Sequence, residues 1–213
     1  MKTTGNYWTG LWSVLKIPAS TVLMLLYFTS SVMAQSDQSA GYPLSSLQRR
    51  DQVRQIYISQ LGVREKQVNS GPEVEQFLRY VKLPKGNPWC AAFVCWVYGE
   101  ADVRNPRTGW SPDLFRNDKV IWTSGEPGTG NRDPRRPQNG ITEQQPRTAD
   151  VFGLYFPEKG RIAHVGFVDE WNDPWLITVE GNTNLSGSRE GDGVYRKRRL
   201  VRSIYKVARY IDN

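Results

Sequence analysis

Apolar residues recur at two different spacings along this chain. In the first half they follow the 3.6-residue period of a helix, and the pattern predicts helices over about 46–60, 73–81 and 87–98, with a further short helix over 111–121. The helix over 87–98 is apolar on nearly every side, so we expect it to be the buried centre of the domain.

From Asp150 onward the pattern changes to the alternation of half-buried strands. Five strands separated by short turns are predicted, in the segments DVFGLYF, IAHVGFV, WLITVEG, GVYRKRRL and IYKVARYI. Short turns between successive strands favour one antiparallel sheet of about five strands.

Between the two halves, residues 123–148 are rich in Gly and Pro and carry Arg132, Arg135 and Arg136. The composition predicts a long surface loop. It serves either as a substrate-binding rim beside the site or as a solvated insertion, and the sequence does not separate the two.

The first 34 residues have the layout of a secretory signal peptide. Lys2 and Lys16 are their only charges, the apolar run Val22–Phe28 follows, and Val32 and Ala34 supply the small residues that a signal peptidase reads. The alternative is a membrane anchor, but this run is too short to cross a bilayer as a helix. We therefore expect a secreted or periplasmic protein, with a flexible leader at 35–45 and one domain at 46–213.

Charge favours an anionic partner without identifying it. The 213-residue chain carries a net charge of +7, which becomes +5 when Lys2 and Lys16 leave with the signal peptide. Nucleic acid is possible on charge alone, but an exported protein more often meets anionic cell walls or lipids. We therefore expect no nucleic-acid partner and no stable membrane insertion after cleavage.

Two cysteines, Cys90 and Cys95, lie five apart in the apolar segment NPWCAAFVCW. With Asn87 as N-cap and Pro88 at the first helical position, their Cα atoms would be ~8.6 Å apart on the helix, too far for a disulfide. Cys90 would be the third helical residue, where the helix dipole favours a thiolate. Cys95 has the surroundings of a small core residue, and the alternative for Cys90 is the same inert role.

The chain has one histidine, His164, in the strand segment RIAHVGFVD. Alternation puts Ile162, His164, Gly166 and Val168 on one strand face, and Gly166 leaves space beside the ring. The alternatives are a core histidine or the base of a Cys–His pair.

In the next strand segment, TVEGN, Glu180 ends an apolar run and needs a partner, and His164 can provide one. Asn182 either contacts the histidine or a substrate carbonyl, or belongs to a turn. One histidine and two cysteines are too few for an ordinary zinc site.

PWCAAFVCW, AHVGFV and TVEGN, in that order, resemble the CHAP family of cysteine- and histidine-dependent amidohydrolases/peptidases. The resemblance spans roughly 46–213 and implies a papain-like α+β fold, with N-terminal helices packed on the antiparallel sheet. It also implies Cys90 as nucleophile, His164 as general base, Glu180 as orienting acid and Asn182 as a fourth polar residue.

The resemblance further implies a peptidoglycan hydrolase, either an N-acetylmuramoyl-L-alanine amidase or a stem or cross-bridge endopeptidase, with peptidoglycan as partner and no cofactor or metal. A cell-wall peptidase of the NlpC type is a close variant, in which a second histidine or another polar residue usually follows the first. This sequence has no second histidine, which favours the pattern with a glutamate. The same residues are also compatible with a non-catalytic cell-wall-binding or interaction protein on the same fold, and with a toxin using the same chemistry.

Overall fold

The computed structural model describes residues 44–124, 144–186 and 191–212. The helices are α1 (Ser46–Ser59), α2 (Pro72–Tyr80) and α3 (Cys90–Glu100). The strands are β1 (Val120–Thr123), β2 (Val151–Phe156), β3 (Arg161–Asn172), β4 (Trp175–Thr183), β5 (Gly193–Leu200) and β6 (Lys206–Ala208). All neighbouring strands pair antiparallel, in the order β1-β6-β2-β3-β4-β5. The predicted α+β class is therefore confirmed.

The predicted signal peptide (1–34) and most of the predicted leader (35–45) lie outside the described residues, as does 125–143 of the predicted loop. Within the part of the chain that the structure describes, no helix has the length and apolar character needed to cross a membrane.

Local sequence signals explain where the first two helices begin. Ser45 forms a capping box with Gln48: its hydroxyl accepts the Gln48 N–H, and the Gln48 side chain accepts the Ser45 N–H at 2.9 Å. Pro72 opens α2, where its missing N–H costs no helical hydrogen bond. Both helices lie within one or two residues of their predicted bounds.

The expected number of about five strands was too low, because β1 lies where part of a short helix was predicted. Over 111–121 only Ser111–Phe115 forms a helical turn, of the 3-10 type. All four residues of Val120–Thr123 are buried, and the strand pairs with β6. A run of β-branched and aromatic residues suits a buried strand, and β6 supplies the partner from the far end of the chain.

The core is centred on α3, as its apolar sequence predicted, and Cys90–Tyr98 are buried without exception. On one side, Phe77 of α2 packs against α3, with ring centroids 5.3 Å from Phe93. On the other, Phe167 of β3 stacks edge-on against Tyr98 at 5.2 Å. The helix α3 is thus held between α2 and the sheet.

Two buried carboxylates tie α1 to the sheet. Asp150 forms ion pairs with Arg50 at 2.9 Å and with Arg209 at 2.8 Å. Asp169 accepts a hydrogen bond from the Tyr57 hydroxyl at 2.8 Å. Since both carboxylates are buried, these partners are needed to offset the cost of removing them from water.

Candidate active site

Cys90 is the first residue of α3, with Trp89 as the N-cap. The predicted start was therefore too early: the Asn87 side chain donates to the Pro84 carbonyl at 3.0 Å and does not cap the helix. The later start places Cys90 closer to the positive end of the helix dipole than predicted. The N–H groups of the first helical turn have no acceptor within the helix, and their partial positive charges face the residues there. The Cys90 side chain thus lies at the positive end of the helix dipole.

His164 links the thiol to a buried carboxylate. Its Nε2 lies 2.8 Å from Glu180 Oε2, and the Glu180 side chain is completely buried. The ring and the Cys90 thiol line the same cleft, and hydrogen bonding between them shifts the pKa of each. Because Nε2 is bonded to Glu180, Nδ1 is the nitrogen left to face the sulfur. The structure therefore brings together three of the four candidate residues in the order thiol, imidazole, carboxylate.

The electrostatic interactions among Cys90, His164 and Glu180 favour a negatively charged thiolate next to a positively charged imidazolium. Burial alone raises the pKa of the Cys90 thiol, but hydrogen bonding to His164 and its charge more than offset this and lower the pKa. Burial lowers the pKa of His164, yet Cys90 and Glu180 raise it to about 9. The two shifts stabilise a thiolate–imidazolium pair, the reactive form of a cysteine nucleophile.

Arg199, on β5, holds the carboxylate that orients the histidine. Its Nε and Nη2 each donate a hydrogen bond of 2.6 Å to Glu180. The Thr178 hydroxyl adds a third donor to the same carboxylate. Burial raises the pKa of Glu180, but the bonds from Arg199 and His164 outweigh it, and the carboxylate stays ionised. The sequence gave no sign of this role, because Arg199 is one of several basic residues in the predicted strand GVYRKRRL.

Gly166 makes the contact between β3 and Glu180 possible. A Cβ at this position would lie 2.9 Å from Glu180 Cγ and 2.8 Å from the Val179 carbonyl oxygen. Both separations are shorter than side chains tolerate, so any larger residue would push the carboxylate away from the histidine. The expected space beside His164 is therefore present, and the stem of Glu180 fills it.

A β-bulge turns β3 at the histidine. His164 pairs with Leu154 and Ile162 with Tyr155, which leaves Ala163 as the extra residue. The predicted alternation therefore fails at Ile162: it packs in the main core with Val165 and Phe167, whereas Val168 belongs to a second cluster. A bulge cannot be predicted from strict alternation. The extra residue shifts the alternation by one position, so side chains before it point to the opposite face from the one predicted.

Asn182, the fourth candidate, makes hydrogen bonds to three residues that precede Cys90 in the chain. Its Oδ1 accepts the Trp89 N–H at 3.1 Å, and its Nδ2 donates to Glu65 Oε1 at 3.3 Å and to Asn69 Oδ1 at 3.1 Å. Its backbone φ of 54° lies in the left-handed region, which asparagine tolerates. Within the described residues, its bonds thus join β4 to the segment before Cys90 rather than to His164.

Ser111 is a further polar neighbour that the sequence did not indicate. Its Oγ lies 3.6 Å from Cys90 Sγ, and the residue is buried. A hydroxyl in this position can donate to the thiolate and contributes to lowering the pKa of Cys90. Ser111 belongs to the 3-10 turn after α3, 21 positions along the chain, so no short motif links the two.

Cys95 differs from Cys90 in its neighbours and in the direction of its pKa shift. It is completely buried, its sulfur donates to the Thr108 carbonyl at 3.5 Å, and burial raises its pKa to about 12. Both cysteines are free thiols. Cys95 therefore has the core role that the sequence predicted for it.

A cleft of about 410 Å³ opens onto the thiol and the imidazole. Its described lining residues include three cationic side chains, Lys159, Lys197 and Arg199, and the apolar side chains of Leu154 and Phe156. Over the ranges that the structure describes, no group of three or more His, Cys, Asp or Glu side chains could hold a metal ion. The arrangement can perform nucleophilic attack by the thiolate, assisted by a proton-carrying imidazolium.

We compared the chain with protein-family models, with curated proteins and with solved structures, and none of the three comparisons gave a match. The resemblance to the CHAP family therefore stays a prediction, carried by the motifs and by the geometry of the site.

Proposed function

We propose that this protein is a cysteine hydrolase that cleaves amide bonds of peptidoglycan, and that its α+β domain is a papain-like fold of the CHAP type. The observation that carries the proposal is the line from Cys90 through His164 to the buried Glu180. In a protein with a predicted signal peptide, peptidoglycan is an anionic substrate that an exported, basic hydrolase would meet.

The first chemical step is attack of the Cys90 thiolate on the scissile carbonyl carbon. The carbonyl oxygen then becomes an oxyanion that needs donors. The Trp89 N–H is already taken by Asn182, but the Cys90 N–H opens the helix without an intrahelical acceptor. The Cys90 N–H is thus the natural oxyanion donor, and the Ser111 hydroxyl is close enough to the sulfur to assist it.

His164 transfers the protons in both halves of the reaction. As imidazolium it protonates the leaving amine, which breaks the C–N bond and leaves an acyl group on the sulfur. The neutral ring then takes a proton from water, whose oxygen attacks the acyl carbon. The C–S bond breaks, which releases the acid and restores the thiolate–imidazolium pair. Glu180, held by Arg199, keeps the ring oriented through both steps and stabilises its charged form.

The decisive experiment is digestion of purified sacculi by the wild-type protein and by Cys90→Ala, side by side. We expect new amino groups only with the wild type, and mass spectrometry of the products identifies an amidase or an endopeptidase from the new chain ends. Cys95→Ala is the matched control, because the two thiols lie on one helix and Cys95 is remote from His164 in its contacts. Full activity of Cys90→Ala, or loss of activity in Cys95→Ala alone, would overturn the assignment.

A further inference from the structure

The described lining of the cleft beside Cys90 has three cationic side chains and no carboxylate. One of the three charges is already offset, because Arg199 forms an ion pair with Glu180 at 2.6 Å. Cys90 and His164 form a pair of opposite charges and add no net charge. Among the described residues, the positive charges that face the cleft without a carboxylate partner are therefore those of Lys197 and Lys159.

Lys197 is held in place by neutral oxygens. Its Nζ donates to the Asn184 carbonyl at 2.6 Å and to the Thr183 hydroxyl at 3.3 Å. An ammonium group has three N–H donors, so one remains for a ligand. Burial lowers the pKa of Lys197, and the nearby charge of Arg199 lowers it further against the opposing effect of Glu180. The opposite charge of a bound anion would offset both unfavourable contributions.

Lys197 and Arg199 share one face of β5, and the exposed residues Arg196 and Arg198 point the other way. Lys159 approaches the same cleft from the 3-10 turn between β2 and β3. Two separate parts of the sheet thus place cations around one opening, next to the apolar side chains of Leu154 and Phe156. This combination of an apolar surface with a few fixed polar groups is typical of a binding site for a small organic anion.

We propose that the cleft selects substrates with a free carboxylate close to the scissile amide, and that Lys197, assisted by Lys159, binds this carboxylate. The identity of the scissile amide rests on the proposed function, whereas the anion site rests on the lining of the cleft alone. In a stem peptide, amidation of this carboxylate removes the negative charge that Lys197 would bind. The site would therefore distinguish peptides with a free carboxylate from amidated ones.

The anion site can be tested without any substrate, through the alkylation of Cys90. We would measure the rates of Cys90 modification by iodoacetate, which is anionic, and by iodoacetamide, which is neutral and of similar size, and take their ratio relative to free cysteine. The variants are Lys197→Met, Lys159→Met and, as matched control, Arg198→Met, which removes an equal charge from the opposite face of the same strand. Peptide mapping reports Cys90 and Cys95 separately, so labelling of Cys95 reveals a variant that has unfolded.

We expect the ratio to fall by roughly three- to tenfold in Lys197→Met, the effect of one unit charge at short range, and less in Lys159→Met. Arg198→Met should keep the wild-type ratio, and added salt should reduce the difference between proteins. If Lys197→Met and Lys159→Met both keep the ratio of Arg198→Met, the proposal is wrong. His164 is present in every variant and attracts anions in all of them. The effect of the lysines is therefore measured by comparing the two lysine variants with Arg198→Met.

A second arm uses peptidoglycan fragments with free or amidated carboxylates next to the cleaved bond. The wild type should favour the free carboxylate in kcat/KM, and Lys197→Met should lose most of that preference. Hydrolysis of neither fragment, combined with a lysine-dependent alkylation ratio, would contradict the proposed function but keep the anion site. Hydrolysis of both fragments at equal rates, combined with a lysine-independent ratio, would overturn the anion site but keep the hydrolase.

Discussion

Replacing Arg199 by glutamine tests whether the guanidinium stabilises the buried carboxylate of the site. The variant removes a positive charge that donates two hydrogen bonds of 2.6 Å to Glu180. The Glu180 side chain is completely buried and that of Arg199 is about one-fifth exposed. Glu180 would keep His164 and Thr178 as partners but lose its only arginine among the described residues.

The expected cost follows from the burial of the pair. Breaking a buried ion pair by removing one partner costs about 3–5 kcal/mol, because the remaining charge is left in a poorly solvating environment. Arg199 is partly exposed, and Glu180 keeps its hydrogen bonds with His164 and Thr178. We therefore expect a loss of unfolding free energy at the lower end of this range, about 3 kcal/mol. For a domain of this size that corresponds to a fall in melting temperature of roughly 6–12 °C.

The pH dependence provides an internal check. Since Arg199 helps to lower the pKa of Glu180 from its ordinary value of 4.5, the stabilisation is present above that pH and is lost as the pH falls. In Arg199→Gln the carboxyl takes up a proton more readily, which relieves its unpaired charge. The difference in melting temperature between wild type and variant should therefore be largest near neutral pH and shrink below about pH 4.5.

Thermal unfolding followed by circular dichroism at several pH values measures this effect. Arg198→Gln is the control, because it removes the same charge from the neighbouring residue, which is exposed and stacks 3.9 Å above the Trp175 ring. It should change the stability by well under about 1 kcal/mol. Equal melting temperatures for the two variants, or a difference that does not vary with pH, would refute the reasoning.

Three further predictions concern the thiol and its neighbours. Hydrolysis should follow a bell-shaped pH profile, rising through the lowered pKa of Cys90 and falling above about pH 9, where His164 loses its proton; a single limb at an ordinary thiol pKa would contradict the ion pair. Ser111→Ala should raise the pH at which iodoacetamide begins to label Cys90 and should slow hydrolysis by roughly tenfold or more. The reason is that a hydrogen bond to a charged group contributes about 1.5–3 kcal/mol. A labelling profile that does not change would exclude the hydrogen bond between Ser111 and Cys90. Gly166→Ala should reduce both hydrolysis and stability, because its Cβ would meet Glu180 Cγ at 2.9 Å and the Val179 carbonyl oxygen at 2.8 Å. Unimpaired turnover would show that the carboxylate does not need its present position.

The sequence was sufficient where a contact depends on local pattern. The apolar sequence of α3, the Pro72 start of α2 and the Ser45 cap of α1 each act within a few positions of the chain. The predicted α1 and α2 agree with the structure within one or two residues, whereas α3 begins later than predicted and the helix expected over 111–121 is only the 3-10 turn Ser111–Phe115. The sixth strand was missed because β1 is stabilised by β6, which comes more than 80 residues later. A short apolar run fits a helix or a strand equally well until its partner is known.

The same distinction applies inside the site. Glu180, His164 and Cys90 could be predicted as site residues because each is unusual in its segment. His164 is the one histidine of the sequence, Glu180 ends an apolar strand, and Cys90 lies near a predicted helix start. Arg199 and Ser111 carry no such signal, since arginines are frequent in β5 and serines are common before a proline. Only the pairing of β4 with β5 reveals that Arg199 lies where it can bind Glu180.

Cys90 and Cys95 show why position within one helix is not enough to predict reactivity. Both are buried, and burial alone raises the pKa of each thiol. Cys95 has only backbone hydrogen-bond partners, at Thr108 and Arg107, and these do not outweigh the cost of burying a charge there. Cys90 has an imidazolium, a hydroxyl and the helix terminus beside it, and these reverse the sign of the shift. A buried thiol therefore becomes a nucleophile through the positive charge that the fold brings to it, and that charge persists because Glu180, itself held by Arg199, stabilises the protonated ring.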